Sequence, residues 1–257
     1  SQDFGAGVHW DGNVTLAYNK NKVDKLYLGY VGHDKMRDPI PIEGYDINGL
    51  WAYQYAGLRE RTDDEANTYK VPNIYVDNEG NIAQIDNILE NTDGRKAMKY
   101  MGTTVAPWTV GMSHSFEYKE WALSFTMIGK FGHKFRQTGF NYADPLVTIP
   151  NRQYTQLQDE TVMPMPDNKF INLSHYSSIS PYMDYNVKGA NHVRMQELTL
   201  SYSLPQVLLR KWGISRLTCY LQGNDLFTIK ATDEDPEYAY GGFRLQPTYT
   251  IGVKFAY

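Results

Sequence analysis

Ten residues at the C-terminus constrain the fold more than any other stretch. From Thr248 to Tyr257 the odd positions read Tyr249, Ile251, Val253, Phe255 and Tyr257, and the even positions read Thr248, Thr250, Gly252, Lys254 and Ala256. One face is wholly apolar and the other small or polar. That period of 2 is a strand with one greasy side, because successive side chains of a strand point to opposite faces. The pattern recurs at Trp10-Val14-Leu16-Tyr18, at Trp108-Val110-Met112-Phe116-Tyr118 and at Trp121-Leu123-Phe125-Met127. It recurs again at Leu198-Leu200-Tyr202-Leu204 and at Leu217-Cys219-Leu221. Helix signal is scarce: Val207-Leu208-Leu209 with Lys211-Trp212 predicts one short turn, stopped by Gly213.

Two all-β architectures fit such strands. In a sandwich the apolar face meets a second sheet. In a membrane β-barrel it meets lipid, while the polar face lines the lumen. Three details favour the barrel. The apolar stripes begin or end in Trp10, Tyr18, Trp108, Tyr118, Trp121 and Tyr257, as interfacial girdles do. The opposite faces carry Gly, Ala, Ser and Thr rather than Lys and Glu. The connections are lopsided: Tyr118–Glu120 and Gln206–Ser215 are short, whereas Arg136–Asn191 and Ile229–Leu245 are long. Barrels of this kind have short periplasmic turns and long outer loops.

Composition narrows the classes further. No stretch approaches the roughly 18 consecutive apolar residues of a membrane helix, and the mean hydropathy is -0.53. Aromatic residues make up 14% of the chain, 21 of them Tyr, which excludes wholesale disorder. A net charge of -4 argues against nucleic acid as the partner. The single cysteine, Cys219, excludes a disulfide framework and a Cys-rich zinc site. Ser1-Gln2-Asp3-Phe4-Gly5 has neither a basic start nor an apolar run, and no Met precedes it, so the chain reads as a piece of something longer.

Parity orients the strands. If the C-terminus is periplasmic, 246–257 runs inward, 215–228 outward, 192–205 inward, 121–135 outward and 106–118 inward. Further upstream, Trp10–Asn19 is expected to run outward and Asn48–Leu58 inward. Asn73–Asp77 is then the expected outward strand that keeps parity, closed by the turn Asn78–Asn81. The count is about eight.

The run from Arg194 to Pro205 (Arg-Met-Gln-Glu-Leu-Thr-Leu-Ser-Tyr-Ser-Leu-Pro) is followed by Tyr220-Leu221-Gln222-Gly223-Asn224-Asp225-Leu226-Phe227-Thr228. With Asp235-Pro236-Glu237 and the closing Tyr249-Thr250-Ile251-Gly252-Val253-Lys254-Phe255, these blocks resemble the SusC/RagA family of TonB-dependent outer-membrane proteins of Bacteroidetes. Upstream, Tyr18–Val23, Tyr53–Leu58 and Pro107–Gly111 fall in the family's order. The resemblance implies an antiparallel transmembrane β-barrel, with residues 1–257 as about eight C-terminal strands of a 22-stranded plugged barrel. It implies import of an oligomeric nutrient, glycan or peptide, with an SusD-like surface lipoprotein as lid. TonB would act through a plug that, with the TonB box and the rest of the barrel, lies outside this segment. Asp225 and Glu197 stand where the family usually has Asn, and His114 sits on an otherwise apolar face.

Catalytic chemistry is not legible. His9, His33, His114, His133, His175 and His192 show no metal-ligand spacing, and neither a Gly-x-Ser-x-Gly elbow nor a phosphate loop occurs. No enzyme, cofactor or metal is expected. The acidic run Asp233-Glu234-Asp235 with Glu237 reads as a solvated loop, or less well as a calcium site, since it lacks the glycine of a dedicated loop. The expected substrate- or partner-binding residues are loop tyrosines, Tyr154, Tyr176, Tyr182 and Tyr185, because aromatic rings on loops bind at low entropic cost. The alternative to a transporter is a free-standing β-barrel or β-sandwich that binds or adheres at the cell surface.

Overall fold

The computed structural model describes residues 1–27, 35–37, 40–62, 68–76, 79–84, 94–137, 180–237 and 246–257. The strands are β1 (Gln2–Phe4), β2 (Val8–Tyr18), β3 (Gly49–Thr62), β4 (Thr68–Tyr75), β5 (Ile82–Gln84), β6 (Met98–Thr103) and β7 (Trp108–Tyr118). They continue as β8 (Trp121–Phe131), β9 (Lys134–Arg136), β10 (Val187–Gly189), β11 (His192–Ser203), β12 (Arg216–Lys230) and β13 (Thr248–Ala256). The main sheet holds seven strands in the order β1-β2-β7-β8-β11-β12-β13, every pair antiparallel. The sheet is open, with β1 and β13 at its two edges.

Register turns the separate stripes into one apolar surface. Trp10 lies opposite Phe116, which faces Leu123, Leu200, Leu221 and Ile251 in succession across the sheet. The row toward the short turns reads Val8, Tyr118, Trp121, Tyr202, Cys219, Val253. Toward the long connections, Val14, Met112, Met127, Met195 and Phe227 form another row, and Tyr18, Trp108 and Phe131 the last. Most of this face stands open to the surroundings: Ile251 is 84% exposed and Val14 63%, while Met195 is buried. A free sandwich would bury them under a second sheet, and among the described residues no layer covers this face.

Holding the apolar parity across β11 and β12 takes two bulges at one level. Between the matching rows, β8 advances from Phe125 to Met127, β11 from Leu198 back to Met195, and β12 from Gly223 to Phe227. Each step adds one residue, so the greasy set stays on its face instead of flipping. Asp225 sits in the β12 bulge with φ 51°, a left-handed conformation that Asn and Asp tolerate better than other residues. His114 is absorbed just as locally. Trp10 donates its Nε1–H to His114 Nδ1 at 3.2 Å and the rings stack at 5.8 Å. Gly12 makes the room: a Cβ there would fall 2.6 Å from the Trp10 ring.

The expected placement of Asn48–Leu58 and Asn73–Asp77 in this wall is overturned. Gly49–Leu58 lies in β3 and Asn73–Tyr75 in β4, but both belong to a separate four-stranded sheet, β5-β4-β3-β6. That sheet is an insert between β2 and β7, which pair with each other along all eleven positions. Asn19 N–H donates to Pro107 O at 2.8 Å, so the chain leaves and re-enters the wall at one point. The physical reason is two-sided burial. Leu50, Trp51, Ala52 and Tyr53 are consecutive and all buried, which no strand with one solvated or lipid face permits. The core of the molecule lies here: Met36, Ile42, Trp51, Tyr53, Ile74, Ala97, Met98 and Met183.

Candidate functional site

The polar face of the wall changes character along its length. Its middle rows are Asp11-Ser115-Ser124-Thr199-Gln222-Thr250 and Asn13-Ser113-Thr126-Glu197-Asn224-Thr248. Two rows nearer the long connections, Thr109, Lys130, His192 and Lys230 stand side by side, with Arg194 one row below. Strand pairing therefore gathers three basic side chains and a histidine at one end of one face. Isolated, they would repel one another.

A strap that follows β12 neutralises them. Residues 231–237 fold back so that Asp235 accepts from Arg194 Nη2 through both carboxylate oxygens, each at 3.0 Å. Glu237 Oε2 lies 2.9 Å from the same nitrogen, and its Oε1 accepts from Lys130 Nζ. The strap closes on itself through Glu237 N–H to Asp235 Oδ1 at 3.2 Å and Lys230 Nζ to Asp233 O. Burial alone would raise the Glu237 carboxyl. The hydrogen bond from Lys130 and the charges of Lys130, Arg194 and His192 outweigh it and hold the group below its ordinary range. The acidic run, read from sequence as a solvated loop or, less well, as a calcium site, spends Asp235 and Glu237 on wall cations.

Beside the strap, β8 turns at Gly132, whose N–H donates to Asn191 Oδ1 at 2.8 Å. His133 follows, 8% exposed. Its ring lies 5.8 Å from the buried ring of His192, whose Nδ1 donates to Ala190 O at 2.8 Å. Desolvation, then the charges of His192 and Lys130, push the His133 imidazole down to about 4, so it is neutral at neutral pH. A cavity of about 710 Å³ opens at this junction of wall and insert, lined by Leu50, Thr104, Lys130, His133, Arg136 and Glu237 among others. Nδ1 of His133 meets no hydrogen-bond partner among the described residues.

Arg136, at the end of β9, joins insert and wall. It is 3% exposed, donates to the carbonyls of Arg37 and Trp51, and lies over the Tyr182 ring at 4.6 Å. Arg37 covers the same ring at 5.4 Å. Tyr185 packs edge-on against Tyr55 at 5.7 Å, and Tyr55 N–H donates to Asp184 Oδ1 at 3.3 Å. Burial raises the Asp184 carboxyl, against the backbone N–H groups of Tyr55 and Tyr185 that favour its charge. Of the four expected tyrosines, Tyr182 and Tyr185 are thus brought together as half-buried pins that fasten 180–186 to the insert. Tyr154 and Tyr176 lie outside the described residues. Arg37, Arg136, His133, Arg194 and the strap were not expected. Their one sequence signal is Lys130 and Lys230 at polar parity; His192 and Arg194 share the sequence parity of Leu198 and Leu200, and only the bulge turns them to the polar face.

No family model matches the chain. A curated relative, "TonB-dependent receptor P3" of Formosa agariphila, is 24% identical over 272 residues, covering 99% of this chain and 25% of that protein. Among solved structures, that of the RagAB peptide transporter superposes with a TM-score of 0.65 at 16% identity, over 99% of this chain and 28% of that one. The RagAB peptide importer in its "open-open" state gives 0.64 at 16% identity, over 99% and 27%. The chain spans about a quarter of the length of the proteins it matches. The structural likeness establishes the all-β, antiparallel RagA-type fold. Together with the relative's name it supports the SusC/RagA-like resemblance and its outer-membrane, TonB-dependent character. The matched proteins are named as a receptor and as transporters, not as enzymes.

Proposed function

We propose that residues 1–257 are the C-terminal part of the barrel of an SusC-like, TonB-dependent outer-membrane transporter that imports an oligomeric nutrient. One observation carries this reading: a continuous apolar face of six long strands that no layer covers among the described residues. Its height suits a membrane. The aromatic belt at Tyr118 and Trp121 and that at Tyr18 and Trp108 are separated by the length of β7. Ten residues at about 3.4 Å each make roughly 34 Å along the strand, and a tilt of about 40° reduces that to roughly 26 Å. The apolar band of outer-membrane barrels is about 25 Å tall.

In this reading the short turns face the periplasm, and the insert, the strap and residues 180–186 face outward. The basic row with its strap sits at the outer mouth of the lumen, and the cavity beside His133 lies on the nutrient's path. An SusD-like lipoprotein would cover these outer elements, a reading supported by the RagAB neighbours, while TonB and a plug would act from parts of the protein beyond this segment. Tyr154, Tyr176, Tyr182 and Tyr185 remain the proposed contacts for nutrient or lid, with Tyr182 and Tyr185 presenting the edges their packing leaves open. Replacing 161–179 by a short connector keeps the Tyr182 and Tyr185 pins and is expected to leave the barrel inserted. Growth on the limiting nutrient and co-purification of the lipoprotein should both fall. Normal growth and normal co-purification with an inserted barrel would remove this segment from the working site.

A further inference from the structure

Between β11 and β12 the chain makes a helical turn, Gln206–Leu209, continued as a 3-10 turn over Arg210–Trp212 and ended by Gly213 at φ 67°. Leu209 is 1% exposed and anchors the turn to the wall. Its neighbours do the opposite. Val207 is 78%, Leu208 56% and Trp212 67% exposed. Between them stand Arg210 and Lys211, both exposed. A soluble turn of this length gains nothing by exposing three large apolar groups around two cations. The composition is that of a segment lying in a membrane interface, apolar groups in the acyl boundary and cations at the phosphates.

Position agrees with composition. The turn begins at Pro205, directly after Leu204, whose N–H donates to Leu217 O at 2.8 Å in the last rungs of the apolar face. Ser215 N–H donates to Ala256 O at 2.8 Å, so the turn also neighbours the end of β13. Tyr118, Trp121, Tyr202 and Tyr257 belong to this same edge, and the Trp121 and Tyr202 rings meet at 4.8 Å. The exposed groups of the turn therefore extend the apolar surface past its aromatic belt, and the two cations stand just beyond it.

We propose that residues 206–212 are an interfacial foot: Val207, Leu208 and Trp212 seat in the periplasmic leaflet, and Arg210 and Lys211 bind the phosphates of anionic phospholipid headgroups. The proposal rests on the membrane reading of the wall. It adds to the belt of Tyr118 and Trp121 in fixing the depth of the barrel at its periplasmic end.

The test uses the whole transporter in phosphatidylcholine–phosphatidylglycerol vesicles, with phospholipids brominated either near the carbonyl or deep in the acyl chain. The fluorescence lost on Trp212→Phe is the signal of Trp212. It should be quenched by the shallow bromines, weakly by the deep ones, and little by aqueous acrylamide. Quenching by acrylamide alone would place Trp212 in water, and protection from every quencher would mean a protein occupant; either result overturns the foot. If the wall itself were not in lipid, the emission that remains in Trp212→Phe, to which Trp10, Trp108 and Trp121 of the wall contribute, would also ignore the bromines, which separates the two failures. The charge half has its own measurement. Retention of phosphatidylglycerol in native mass spectra should fall about fivefold for each charge removed in Arg210→Gln and Lys211→Gln. Unchanged retention in the double variant would overturn headgroup binding.

Discussion

The wall sheet and the insert are built from the same residue types and solve opposite problems. In the insert, Trp51, Ala52 and Tyr53 are consecutive and at most 6% exposed, so both faces of β3 are covered by protein. In β13 every described residue from Thr248 to Ile251 is exposed, and so are Val253 and Phe255. The insert makes its own core; the wall leaves its apolar face to its surroundings. Hydrophobic content therefore does not tell where a core is. What tells is whether apolar residues occupy one parity or both.

The comparison breaks most visibly at the insert's centre. Tyr53→Ala removes a side chain with 0% exposure and is expected to cost about 3–5 kcal/mol. That loss should stay within the insert: limited proteolysis should cut 19–107 readily, while the barrel keeps its heat-dependent gel mobility. A barrel that fails together with the insert would show the two units to be one.

A smaller effect is expected where wall and insert meet. His133 is neutral in the folded protein down to about 4 but takes up a proton near 6.5 once opened. The open state thus binds more protons between those values, so closure weakens as pH falls through 6.5 and levels off below about 4. Between pH 7 and pH 5 the loss should be about 2 kcal/mol. Hydrogen exchange at Ala190, whose N–H donates to His133 O, reports it, and His133→Gln should flatten the dependence. An equally steep dependence in that variant would assign the sensitivity to another group.

Smallest is the bulge in β12. Asp225→Asn keeps a residue suited to φ 51° and should change stability by less than about 0.5 kcal/mol. Asp225→Val should cost about 1–2 kcal/mol, because a β-branched residue resists the left-handed region. Folding titrations of the two variants check the difference, and equal costs would deny the bulge its strained residue.

The wall was legible because alternation needs only neighbours. Thr248 to Tyr257, Trp108 to Tyr118 and Trp121 to Met127 display their period directly, and the helical turn before Gly213 displayed its stop. The bulges were less visible: Val193 and Met195 differ in parity from Leu198 and Leu200, and only the pairing to β8 and β12 shows that they share a face. The insert was misplaced because parity counting assigned every strand to the wall. The run Leu50-Trp51-Ala52-Tyr53, apolar at both parities, carried the signal against it. The surroundings of Tyr182 were not legible at all. Its ring is held by Arg37 and Arg136, each distant in sequence, and nothing local marks such a contact.

The central claim is that the odd residues of β13 face lipid and the even ones the lumen. It is tested most directly by folding the whole transporter into bilayers with Val253→Arg and, separately, with Thr250→Arg. The two sites lie on opposite faces of the same strand, paired with Cys219 and Gln222 of β12. Val253 lies level with the Tyr118 and Trp121 belt, so Val253→Arg is expected to cost about 1 kcal/mol, the interfacial end of a depth-dependent penalty. Thr250→Arg should be much milder. Equal costs for the two variants, or a larger one at Thr250, would contradict the assignment of that face to lipid.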